Sequence, residues 1–74
     1  MGFIMRVKDN PATRLRVLMA ERDINTLELS QLTGVSQQAI SALRSGRVKS
    51  PKIETARLIA KALGVRTSDI WENR

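Results

Sequence analysis

Glycines at positions 34, 46 and 64 each close a short run in which apolar residues recur three and four apart, and this punctuation is the strongest constraint on the fold. A chain cut this way makes several short helices rather than one long one. A helix stops readily on glycine because the left-handed conformation that ends it meets no Cβ clash there. In TLELSQLTGVSQQAISALRSG, Leu29 and Leu32 supply the apolar side of one short helix, and Ile40 and Leu43 that of the next, over about Gln37 to Ser45. Between them Val35 is expected to plug the turn into the core, while Ser36 caps the second of the two helices.

The flanking sequence carries the same kind of signal. Asn10 before Pro11 forms an N-cap with proline at the first helical position, where its missing N–H costs nothing. Leu15, Leu18, Met19 and Arg22 then keep one helical face, which predicts a helix from about Pro11 to Arg22, with Asp23 in the turn. Asn25 and Glu28 have the spacing of a capping box at the start of the second helix. Ser50 and Pro51 are read as the cap and first residue of a fourth helix, lined by Ile53, Ala56, Ile59, Ala60 and Leu63. Thr67 is read as the cap of a short last helix that has Asp69 near its N-terminus and is anchored by Ile70 and Trp71. The fold class is therefore all-α, with residues 10–74 forming one domain after an arm at 1–9.

The chain has 74 residues, no cysteine and no histidine, with 13 Lys and Arg against 7 Asp and Glu for a net charge of +6. A domain of this size has a simple core, and without cysteine it has neither a disulfide framework nor a cysteine-based zinc site. The familiar nucleophile and base pairs and the histidine-containing zinc motifs are excluded as well, so no enzyme, no catalytic residue, no metal and no cofactor are expected. Asp69 and Glu72 are better read as helix-end acids. The charge excess points to a polyanion partner. With no apolar run long enough for a membrane span and nothing resembling a signal peptide, a cytoplasmic protein without membrane attachment is expected.

At 100° per residue the side of the third helix away from Ile40 and Leu43 carries Gln38, Ser41, Ala42 and Ser45, with Gln37 and Arg44 at its margin. That face is polar and contains no acid. Two short helices and a glycine-bearing turn over about 20 residues have the proportions of a helix-turn-helix. The stretch TLELSQLTGVSQQAISALRSG resembles the helix-turn-helix of the Cro and CI repressors, the XRE family, and SPKIETARLIAKALGV and TSDIW resemble that family's fourth and fifth helices. The likeness covers about residues 10 to 72.

The resemblance implies a compact five-helix, lambda-repressor-like domain whose third helix enters the major groove and whose homodimer reads an inverted repeat with half-sites about 34 Å apart. A glutamine amide presents a donor and an acceptor side by side and pairs bidentately with adenine N6 and N7. Gln37 and Gln38 match the glutamine pair with which several phage repressors of this type touch bases. Ser41 is a third candidate, and Ala42 a fourth that touches a thymine methyl or is simply a helix former. Phosphate contacts are expected from Asn25, Thr26, Ser36, Arg44, Ser45, Arg47, Lys49 and Lys52, which set register and affinity without reading sequence. Asn25 is equally explained as a cap and is able to serve both roles. Leu58, Ala62, Ile70 and Trp71 are the candidates for the two-fold contact, with a core-sealing role the alternative for Trp71.

The chain departs from the family pattern at three places. Met19 and Arg44 stand where many members pair an arginine with a glutamate, so a methionine packed along the arginine stem is expected to replace the ion pair, leaving Arg44 for DNA. Asp23 stands where glycine is usual, so the turn takes a left-handed aspartate or changes shape. MGFIMRVKD matches nothing in the family; it is an arm or strand that pairs with a second subunit, a disordered tail, or sequence upstream of a start at Met5. The implied function is a small dimeric repressor of phage-repressor or controller type. The alternative is an antitoxin that binds a toxin protein, through residues 1–9 or the last helix, and represses its own operon.

Overall fold

The computed structural model describes residues 10–71, and among them the chain forms five helices: α1 (Pro11–Glu21), α2 (Thr26–Thr33), α3 (Gln37–Ser45), α4 (Ile53–Leu63) and α5 (Thr67–Ile70). The proposed arm at 1–9 and the helix-end acid Glu72 lie outside the described residues. Local capping accounts for the first three helices. Asn10 Oδ1 accepts from Thr13 N at 2.9 Å, with Pro11 opening α1. Asn25 Oδ1 accepts from Glu28 N at 2.8 Å while Glu28 Oε1 accepts from Asn25 N at 3.0 Å, so the capping box closes in both directions. Ser36 Oγ accepts from Ala39 N at 3.1 Å and starts α3.

Two left-handed residues set the angles between the first three helices. Gly34 ends α2 with φ 81°, and Thr33 braces the turn by donating from Oγ1 to Leu29 O at 2.7 Å and accepting from Val35 N at 3.1 Å. Asp23 ends the turn after α1 with φ 56°, the left-handed aspartate that the sequence allows. A left-handed residue with a Cβ is strained, and glycine relieves that strain at some cost in unfolded-chain entropy. Asp23→Gly is therefore expected to stabilise the domain by about 0.5 to 1 kcal/mol, read as a higher urea midpoint with unchanged slope. A lower midpoint would mean that the Asp23 carboxylate contributes more than the backbone strain costs.

The last two helices start at different residues from those their sequence suggests. Lys52, in extended conformation (φ −60°, ψ 152°), is the N-cap of α4, and its carbonyl accepts from Ala56 N at 2.9 Å, so Ser50 and Pro51 precede the helix instead of opening it. Ile53 becomes the first helical residue and is 55% exposed rather than inward. The reason is geometric: side chains tilt toward a helix N-terminus, so Ile53 projects past the end of the core that Ala56, Ile59, Ala60 and Leu63 reach. Arg66, not Thr67, is the N-cap of α5, and Asp69 Oδ2 accepts from Arg66 N at 2.9 Å.

One core joins all five helices. Leu15 and Met19 of α1, Leu29 of α2, Ile40 and Leu43 of α3, Ala56, Ile59 and Leu63 of α4, and Ile70 with Trp71 are buried together, and Leu18, Ile24, Val35, Ala62 and Val65 pack against them. In α2 the inward stripe is Thr26, Leu29, Ser30 and Thr33. Leu32 lies about 110° from that stripe at 100° per residue and is 63% exposed, so it does not share the inward side with Leu29. Ile70 and Trp71, considered for a two-fold contact, are 0% and 3% exposed within a single chain and seal its core.

α1 also holds the bundle through its arginines. Arg14 Nη1 donates to Ile70 O at 3.2 Å, Arg22 Nε donates to Leu63 O, and Arg16 Nη1 donates to Arg44 O. Each carbonyl lies at the C-terminal end of another helix, where carbonyls lack intrahelical partners and the helix dipole favours a cation. Part of the chain's positive charge is thus committed to structure.

Candidate nucleic-acid interface

α3 packs against α1 and α2, which leaves one side of it uncovered. Gln37, Gln38, Ala39, Ser41 and Ser45 are exposed there, while Ile40, Ala42 and Leu43 are buried. Gln37 and Gln38 occupy the first two helical positions, and Ser41 follows Gln37 by one turn. No side-chain hydrogen bond within the described residues occupies either glutamine amide or the Ser41 hydroxyl. Their donors and acceptors face solvent, as direct readout of a base edge requires.

Ala42 departs from its expected place: it is 8% exposed, not on the outward face. With its methyl buried, contact with a thymine methyl is closed to it, and its carbonyl accepts from Val48 N of the following loop at 3.2 Å. Ser45 is similarly engaged, since its Oγ donates to Ala42 O at 3.2 Å and accepts from Arg47 N at 3.4 Å. With its one proton used to shape the turn, Ser45 has none to donate to a phosphate while that bond holds. Gly46 ends the helix at φ 88°, where an added Cβ would sit 3.8 Å from Ala12 Cβ. The start of the loop thus lies beside α1.

That loop carries three cations without a side-chain partner among the described residues. Arg47, Lys49 and Lys52 are exposed and form no ion pair among the described residues. No Asp or Glu occurs between Glu28 and Glu54, so α3 and the loop are positive without a compensating acid. Ser36 is exposed at the start of α3 while its Oγ serves as the cap. Asn25 likewise spends Oδ1 on Glu28 N and keeps its amide N–H groups to offer.

Arg44 does not lie free on the surface. Its Nη1 donates to Thr26 Oγ1 at 2.8 Å, tying the end of α3 to the first residue of α2, and its Nε is buried without a partner among the described residues. Arg16 is a residue that sequence reading missed: from α1 it reaches Arg44 O and shares a shallow basin with Ser41, Arg44 and Ser45. The available signal was its spacing, since Arg16 stands four residues after Ala12 and three before Met19, both inward. Among the described residues no cluster of three or more acidic side chains suits a metal, and no helix is long and apolar enough to cross a membrane.

The family model of the Cro/C1-type HTH DNA-binding domain matches residues 14–72, from within α1 through α5. The chain belongs to this Cro/C1-type family. Its five-helix architecture agrees with that membership, with α2 and α3 forming the helix-turn-helix and Gly34 its turn. The chain is also similar to the uncharacterized HTH-type transcriptional regulator YozG of Bacillus subtilis (strain 168), being 34% identical over 58 residues that cover 78% of this chain and 69% of that protein. The Cro/C1-type match ends at residue 72 and begins at Arg14, so the segment at 1–9 lies outside it.

Proposed function

We propose that this Cro/C1-type protein is a sequence-specific regulator of transcription that binds double-stranded DNA with α3 in the major groove, acting as a small dimeric repressor on an inverted-repeat operator. The observation that carries the reading is the acid-free outer face of α3, where Gln37, Gln38 and Ser41 are exposed, without a side-chain hydrogen bond among the described residues, beside the cations of the following loop. The glutamines read base edges, with Ser41 as a third contact. Arg47, Lys49 and Lys52, with Asn25 and Thr26 at the start of α2 and Ser36 at the start of α3, hold the phosphate backbone. Repression follows if the occupied operator excludes polymerase.

Leu58, 45% exposed on α4, and the half-buried Ala62 are the remaining candidates for the contact between subunits. Equilibrium sedimentation is expected to find a dimer, and a monomer at high micromolar concentration would remove that part of the proposal. The antitoxin reading has less support from the last helix, because Ile70 and Trp71 are spent on the core.

Base readout is tested by comparing wild type with Gln38→Ala on duplexes that differ at single positions. Loss of a bidentate pair is expected to remove about 1 to 3 kcal/mol of discrimination at one position in each half-site, leaving the others unchanged. A uniform loss across all sequences would assign Gln38 to backbone contact instead.

A further inference from the structure

Arg44 reaches from the last turn of α3 to the first residue of α2, across 18 residues of sequence, and donates from Nη1 to Thr26 Oγ1 at 2.8 Å. Its Nε is enclosed without a partner among the described residues, and its carbonyl is held by Arg16 Nη1. Two of the five guanidinium N–H groups are thus accounted for, one enclosed at Nε and one bonded from Nη1, and they fix the side chain against the start of α2. The guanidinium is placed to act through the hydroxyl that it holds.

Resting on the DNA-binding reading above, we propose that Arg44 is a positioning residue that sets the Thr26 hydroxyl for a DNA backbone phosphate. A hydroxyl has one proton and two acceptor lone pairs. With one lone pair receiving the Arg44 N–H, the Thr26 proton must point elsewhere, and the neighbouring positive charge makes it a stronger donor. The N–H groups of Thr26 and Leu27 open the same helix, where such groups lack intrahelical acceptors. The adjacent cap, Asn25, already has Oδ1 occupied by Glu28 N. Phosphate grip at Thr26 is thereby tied to α3, which also carries Gln37 and Gln38, so the two halves of the motif hold one geometry on the duplex.

The interaction is tested by a double-mutant cycle of Thr26→Val and Arg44→Met in the full chain, titrated at several salt concentrations against a duplex selected by wild type. Each single change is expected to weaken binding about tenfold, and the double variant to bind no worse than either single one. The log–log salt slope should stay at the wild-type value in Arg44→Met, because Arg44 itself neutralises no phosphate. Thr26→Ser should bind like wild type, since it restores the hydroxyl. If Arg44→Met melts near the working temperature, Arg44→Gln is measured in its place: keeping an N–H donor for Thr26 Oγ1 without the charge, it should bind close to wild type with the wild-type salt slope.

Multiplying losses, about a hundredfold in the double variant, or a slope smaller by about 0.9 in either Arg44 variant, would overturn the proposal and make Arg44 a direct phosphate contact. Full binding by Thr26→Val would overturn it as well. If wild type selects and binds no duplex, the DNA-binding reading fails first and takes the proposal with it. That result is distinct because it precedes any variant.

Discussion

Replacing Arg47, Lys49 and Lys52 together by alanine is expected to weaken duplex binding by about two to three orders of magnitude near 0.1 M salt. The log–log salt slope should fall by about 0.9 for each cation that meets a phosphate. The effect is electrostatic. These side chains are exposed on a loop fixed by the bonds of Ala42 O and Ser45 Oγ, and they form no ion pair among the described residues, so their charge is available to displace counterions from DNA. Lys52 caps α4 through its backbone without a side-chain bond, so alanine there leaves the helix start intact. Melting should therefore shift little while affinity collapses. The measurement is fluorescence anisotropy across a salt series with a thermal melt beside it. Affinity lost with an unchanged slope would point to a distorted loop rather than missing phosphate contacts.

The second large effect concerns stability. Leu29 is the buried residue of α2, with 0% of its surface exposed, and its carbonyl also receives the Thr33 hydroxyl that braces the Gly34 turn. Leu29→Ala is expected to cost about 2 to 5 kcal/mol from lost burial and the cavity left behind. Small domains have about 5 to 15 kcal/mol in total, so a melting point lower by more than about 10 °C follows. Leu32→Ala, three residues on, removes the same atoms from a position 63% exposed and should stay within about 0.5 kcal/mol of wild type. Urea denaturation of the pair tests the assignment of the α2 face. Equal costs would mean that Leu32 is covered, as it would be in an interface between copies.

Much of this fold was legible from local signals. Asn10, Asn25 and Ser36 cap the helices that they announce, and Gly34, Gly46, Gly64 and Asp23 take the left-handed conformations their places require. Such features depend on residues within a turn of each other, which is why sequence carries them. The structure differs where contacts are made that helical spacing does not register. Ala42 is buried although helical spacing puts it among outward positions, and Ser45 spends its proton on Ala42 O one turn back. Arg44 and Arg16 have long side chains whose direction is set by partners 18 and 28 residues away, beyond any helical period. Trp71 is large enough to suit either a core or an interface, and only the packing of α5 on α1 and α4 assigns it to the core. Ser-Pro is a strong opening signal, yet α4 starts later, because an extended Lys52 takes the cap two residues after Ser50.

The same distinction sorts the candidate site. Gln37, Gln38 and Ser41 are found on the exposed side of α3, as the 100° spacing indicates, because that side depends only on the helix and its inward pair. Charge was the less specific guide. Arg14, Arg16 and Arg22 hold the ends of other helices and Arg66 faces Asp69 at 3.8 Å, so net charge overstates what is directed at a partner. The acid-free interval from Leu29 to Ile53 is the more informative feature, because it coincides with α3 and its loop.

Operator recognition is tested most directly by selecting bound sequences from random duplex DNA with the full chain, then titrating the enriched sequence at two salt concentrations. The expected outcome is an inverted repeat with half-site centres about one helical turn apart, roughly 34 Å, and a preference for that sequence that survives the higher salt. Enrichment of no consensus, with binding that vanishes steeply as salt rises, would contradict sequence-specific recognition and leave only phosphate attraction without readout.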